Sequence, residues 1–202
     1  MVLLQTNVGA LVILAITVIA SLAGFAMPAI IQKCVMRPFE VARGRHWDSL
    51  YLSGFMHADL SHLLFNMFSF AFFAFPLERK LGTLAFSVGY VLSAIGSNLP
   101  SVARHRNNPD YATLGASGGV TAVLFAYIVL YPTRSLYILP LPVPIPALLY
   151  AVGYVAYSIY SSRHRSGDRI NHDAHLGGAV CGMIWIGICV PGAHTALLSR
   201  WI

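Results

Sequence analysis

Charge is the scarcest ingredient of this sequence. Acidic residues number 7 and basic residues 13 among 202, so charged side chains make up 10%, against roughly 25% in an ordinary soluble domain. So few charges cannot clothe a water-facing surface, which excludes the common soluble folds. Cysteine is also sparse. Cys34, Cys181 and Cys189 build no disulfide framework, and the last two lie eight apart in one apolar run, where a free thiol acts as a small hydrophobe. Internal repeats and low-complexity tails are absent. The net charge of +6 invites a nucleic-acid reading. The Lys and Arg residues are instead scattered between apolar runs, with no basic helix face and no interleaved aromatics. Positive charge flanking membrane spans accounts for them, and no nucleic-acid partner is expected.

What is present is apolar: 57% of the residues are hydrophobic. They fall into six runs, at about 8–31, 58–76, 82–100, 115–131, 146–162 and 171–191. About 20 helical residues cross a hydrocarbon core, so the fourth run is barely long enough. The length suits one domain covering residues 1–202, not two substantial ones. The run at 8–31 lacks a basic flank ahead of it and exceeds a signal-peptide core, so it is expected to stay as a first span.

The connections differ in kind. Residues 32–56 set Phe39, Trp47, Tyr51 and Phe55 among Arg37, Arg43, Arg45 and Asp48, a mixture suited to a membrane interface. Residues 139–146 place proline at every second position, which cannot continue a helix and predicts a stiff, extended connector.

Polar groups within apolar runs are costly and commonly functional, and three groups stand out. Ser117 lies in Gly115-Ala116-Ser117-Gly118-Gly119. Such a stretch serves close helix packing, or it presents a hydroxyl at a helix N-terminus, where developing negative charge is favoured. His175 is followed by Gly178 and Gly182 on about the same helix face, a small-residue seam that lets another helix come close. If that helix carries Ser117, a nucleophile meets a general base. His62 and Asn66, four apart on one face, can both donate hydrogen bonds to an oxyanion. His57 lies about 140° around the helix from His62 and reads as a structural brace.

In this order and company, the residues resemble the rhomboid family of intramembrane serine proteases. The resemblance runs from the first span through the sixth, and Glu78-Arg79-Lys80-Leu81-Gly82 also matches the family's turn after the second span. It implies an all-α membrane protein, a six-transmembrane-helix rhomboid-like bundle with a short buried fourth helix. Ser117 would attack the scissile carbonyl, and His175 would shuttle the proton. His62, Asn66 and the Ser117 backbone N–H would form the oxyanion hole. Gly178 and Gly182 would bring the sixth helix against the fourth, with His57, Gly115 and Gly118 in support. No cofactor or metal is implied. The substrates would be transmembrane or membrane-proximal segments of other proteins in the lipid bilayer, with the protease a multi-pass protein of the cell membrane. Because a helix satisfies its own amides, substrates should carry small or helix-breaking residues near the cut. Asp173, two residues before His175, points elsewhere on a helix, so a dyad is expected rather than a triad.

Two positions depart from the family pattern. Thr121 stands four after the serine, where many rhomboids carry an aromatic that stacks on the catalytic imidazole. Trp47 is followed by Asp48 instead of arginine. A catalytically inactive relative that binds membrane clients is the main alternative reading. A metal site on His57, His62, His172 and His175 is another, although His-x₄-His does not put both rings on one face. Orientation is also contested. With the N-terminus inside, the outer loops would hold Lys33, Arg37, Arg43, Arg45, Arg104, Arg106, Arg163, Arg165 and Arg169, and the inner ones only Arg79, Lys80, Arg134 and Arg200. Charge counting favours the reverse, whereas the resemblance implies the N-terminus inside and an active site open to the outside.

Overall fold

The computed structural model describes residues 7–138, 141–164 and 170–199; Arg165, Arg169 and Arg200 of the charge count lie outside them. The order is α1 (Val8–Ala26), α2 (Pro28–Cys34), α3 (Pro38–Val41), α4 (Ser49–Leu52), a 3₁₀ turn (Ser53–Phe55), α5 (Leu60–Leu81), α6 (Thr83–Ser97), α7 (Leu99–His105) and α8 (Ser117–Leu130). A hairpin of β1 (Ser135–Ile138) and β2 (Leu141–Pro146) follows, then α9 (Ala147–His164), α10 (His172–Cys189) and α11 (Ala193–Leu198). All six apolar runs contain a helix. Among the described residues, only α1 and α5 are long and apolar enough to cross a membrane on length and composition alone. The fold is therefore mostly helical, and its helices of 14 to 18 residues do not by themselves demonstrate six spans.

The first run is not one helix. Pro28 has no N–H and forces Met27 out of the helical region (φ −132°, ψ 89°), so α1 stops at Ala26 and α2 starts anew. The second run continues through Pro76 to Leu81, ending at Gly82, whose φ of +81° suits glycine. The described part of the proline-rich connector, Leu141–Pro146, is extended, as expected (residues 139 and 140 lie outside the described residues), and it also pairs antiparallel with β1, Ser135 opposite Pro146 and Tyr137 opposite Pro144. Two strands leave two free edges, which is where prolines fit a ladder.

Burial is distributed inside out. On α1 the buried positions include Gly9, Ala10, Thr17, Ser21 and Gly24, while Leu11, Val12, Ile16, Ile19 and Leu22 are exposed. Likewise α5 exposes Leu64, Phe65, Phe68 and Phe72. Apolar side chains facing outward around a smaller, more polar interior describe a protein whose solvent is lipid. The α8 helix is buried on nearly every side from Gly118 to Val129, as a core helix without a polar face should be. It lies between α5, α6 and α10, where Phe70, Phe86, Tyr90, Val123, Trp185 and Ile186 form the main core.

Glu78 joins two of these helices. Its side chain is almost fully buried and accepts the N–H groups of Gly9 and Ala10, both at 2.8 Å, and the Thr83 hydroxyl at 2.7 Å. A carboxylate thus satisfies the first-turn amides of α1, with the helix dipole in its favour. Glu78→Ala would orphan both amides, at about 1–3 kcal/mol each. Unfolding in detergent should show that loss, with Glu78→Gln intermediate because its amide keeps a single acceptor oxygen.

Candidate active site

A cavity of about 420 Å³ opens at the N-terminal end of α8, and Ser117, His175, His62 and Asn66 all line it. Ser117 is the first residue of α8, and its N-cap, Ala116, offers no side-chain cap. By contrast, α5 is capped by Asp59, which accepts the His62 N–H at 2.8 Å, and α10 by Asn171, which accepts the Ala174 N–H at 3.0 Å. The first-turn amides of α8 are thus free of any side-chain cap at the cavity, the arrangement that suits an anion.

Glycine sets the spacing. A Cβ on Gly178 would overlap the Gly118 carbonyl, and one on Gly182 would overlap the Ala122 carbonyl. The α10 and α8 backbones therefore touch directly, as the small-residue seam predicts. Gly118 is hemmed in by Ser97 and lies near the Ala174 carbonyl. Gly115 has φ +144°, which side-chain-bearing residues rarely adopt, and a Cβ there would sit 2.8 Å from His62 Cε1. Its N–H donates to Ser53 O at 3.0 Å. Met36 and Thr113 exchange backbone hydrogen bonds of 2.9 and 3.0 Å, which pins the first loop to the segment carrying Gly115.

The donor face is built in two layers. Asn66, nearly buried, gives one amide hydrogen to the His62 carbonyl at 2.9 Å and keeps a second. His57 lies behind His62, fully buried, with its ring edge-on at 4.9 Å and its Nδ1 3.0 Å from the Ser21 hydroxyl of α1. This is the bracing position expected of it.

Around His175 the structure adds a residue that the sequence did not signal. Tyr154 of α9 stacks on the imidazole, with ring centres 5.8 Å apart and planes 27° apart, and its hydroxyl is 2.9 Å from Thr121 Oγ1. Asp173 turns away from the cavity, as its spacing predicts. It accepts from Arg104 at 2.9 Å and from the Ser162 hydroxyl at 2.6 Å, with His105 3.3 Å off. His105 stacks on Tyr111, whose hydroxyl is pushed up to about 12 by burial and, secondarily, by the Asp173 charge. Asn171 also accepts from Ser101 and donates to Thr113. Asp59 and Asn171 each immediately precede a helix, a capping signal readable in the sequence. Tyr154 has no such signal.

The four histidines of the alternative metal site divide into two pairs, His57 with His62 and His172 with His175. Among the described residues no three His, Cys, Asp or Glu side chains converge.

With this geometry in place, comparison with known proteins gives the family. The Rhomboid domain matches residues 43–192, and the chain belongs to the rhomboid family, a family of integral membrane proteins. It is 28% identical over 192 residues to RHOMBOID-like protein 12, mitochondrial, of Arabidopsis thaliana, covering 85% of this chain and 56% of the relative. Rhomboid protein 1, mitochondrial, of Saccharomyces cerevisiae is 31% identical over 142 residues, covering 68% and 40%. Rhomboid-like protease 1 of Toxoplasma gondii is 29% identical over 143 residues, covering 70% and 46%. The chain spans about half the length of these relatives.

The glycine contacts generate a sharp contrast. Gly178→Val should separate α10 from α8 and cost several kcal/mol, on the order of an overpacked core. Gly153→Ala, where nothing lies within 4 Å of the added carbon, should leave stability unchanged or slightly higher. Thermal unfolding in detergent compares them directly.

Proposed function

We propose that this chain is an intramembrane serine endopeptidase that cuts transmembrane or membrane-proximal segments of other proteins with a Ser117–His175 dyad. The observation that carries this is the shared cavity at an uncapped helix N-terminus, lined by Ser117, His175, His62 and Asn66. The protease name of one relative agrees with it.

The chemistry runs as acyl transfer. The Ser117 oxygen attacks the scissile carbonyl carbon while its proton passes to His175. The carbonyl oxygen becomes an oxyanion, held by His62, by the free amide hydrogen of Asn66 and by the Ser117 N–H. Collapse breaks the C–N bond, and His175 returns the proton to the leaving amine. Water, activated by the same imidazole, then hydrolyses the acyl-enzyme. The residues present supply each of these roles without a metal or cofactor. Substrate segments with small or helix-breaking residues expose their carbonyls at least cost.

In purified, reconstituted protein, Ser117→Ala and His175→Ala should each abolish cleavage of a model membrane substrate. Wild type, but not Ser117→Ala, should be labelled by a fluorophosphonate. Loss of His62 or Asn66 as donor should slow kcat by roughly 10²–10³. Cleavage undiminished by Ser117→Ala would sink the reading. Folded protein that neither cleaves nor labels would favour the client-binding alternative.

The same proposal covers one domain over residues 1–202 and six membrane crossings in a cell membrane, with the N-terminus inside and the cavity opening outward. Arg79, Lys80 and Arg134 line a cleft away from the proposed catalytic cavity, while Arg43 donates to the Arg106 carbonyl. A reporter fused after Ile202, which lies outside the described residues, should read as cytoplasmic. An external signal would reverse the orientation.

A further inference from the structure

We infer that Tyr154 is a positioning residue for His175, held in place by Thr121. The inference rests on the Ser117–His175 dyad and adds a part to it.

Thr121 lies four residues after Ser117 on the same face of α8, and both line the cavity with Tyr154 and His175. Thr121 is buried, and its hydroxyl cannot cover an imidazole. What it does is bond the Tyr154 hydroxyl at 2.9 Å. That bond fixes the far end of a phenol that comes from α9, and the ring then lies against His175 with its plane 27° from the imidazole plane. Phe125, one further turn along α8, meets the other end of the packing, edge-on to Tyr154 at 5.7 Å. Tyr154 is thus held by its hydroxyl and by its ring, and it presents a flat face to the base.

The consequence for the base is chemical as well as steric. A stacked neighbour limits imidazole rotation, so the nitrogen that takes the serine proton stays aimed. Once protonated, the ring is a cation against an aromatic face, which favours the charged form reached in the transition state. A threonine and a tyrosine on two helices together do what one aromatic side chain on α8 would do alone.

The test uses full-length protein in detergent, with cleavage of a model membrane substrate and the rate of fluorophosphonate labelling at Ser117. Ser117→Ala serves as the control on the dyad; if it kept activity, the dyad itself would fail, separately from Tyr154. Tyr154→Leu keeps an apolar cover but removes the aromatic face. It should lower kcat about tenfold or more, with KM near wild type and labelling slowed in parallel. Tyr154→Phe keeps the face and loses only the bond to Thr121, so it should recover most of that loss but still fall measurably short, about threefold below wild type. Thr121→Val removes the same bond and should match Tyr154→Phe, the double variant being no worse than either. Wild-type kcat and labelling in folded Tyr154→Leu overturn the inference. Should that variant not fold, wild-type kcat and labelling in Thr121→Val overturn it instead.

Discussion

The site depends on a contact between two backbones. Where Gly178 and Gly182 of α10 meet Gly118 and Ala122 of α8, no side chain intervenes, so the separation of the helices is set by main-chain atoms. Lipid offers no hydrophobic drive to bring helices together, and close packing of small residues takes its place. Everything in the cavity inherits that spacing. Ser117 is one residue ahead of the contact on α8, and His175 one turn ahead of it on α10. A single added methylene at the seam would move His175 away from Ser117, and in the proposed dyad a misplacement on the order of 1 Å can cost roughly 10²-fold in rate.

The same solvent explains how the rest is arranged. Outward faces carry Leu, Ile, Val and Phe, while the interior mixes large core side chains such as Phe70 and Tyr90 with buried Ser, Thr, Asn, His and Glu residues. Each polar group there needs a partner, because hydrocarbon supplies none. Glu78 satisfies the start of α1, Asp59 the start of α5 and Asn171 the start of α10. The start of α8 is left without such a cap. Other helices, α6 among them, also start without a side-chain cap; what sets α8 apart is that its start opens on the cavity, where a cap would occupy the amides that the proposed oxyanion hole requires.

Much of this was legible in the chain. Period and composition located a helix in each apolar run, and the spacing of His62 with Asn66 and of His175 with Gly178 and Gly182 anticipated shared faces, because helical periodicity is a local property. The misses have physical causes. Pro28 splits the first run although the hydrophobicity continues, and the hairpin of β1 and β2 needs a partner strand that proline spacing cannot reveal. Crossing number has another cause: α8, at 14 residues, is short for a span, and α9 and α10, at 18, carry polar residues that dilute their apolar character. Tyr154 was invisible because its significance arises only when α9 packs beside α8 and α10. Thr121 read as the loss of an aromatic; in three dimensions it is the anchor for one.

That substitution also bears on why His175, the proposed base, is not held by a carboxylate. Asp173 is the nearest candidate in sequence, yet it is committed to Arg104 and Ser162, joining α7, α9 and α10 at their ends. Burying a carboxylate against an imidazolium inside the bundle would carry the desolvation cost of both ions, which their attraction repays only in ideal geometry. An aromatic face adds no second ion. It steadies the neutral imidazole by contact and the protonated one by its quadrupole, and its only polar atom is satisfied by Thr121. In a cavity walled by apolar helices, stacking is the less costly way to orient an imidazole, which is what the proposed dyad requires of Tyr154.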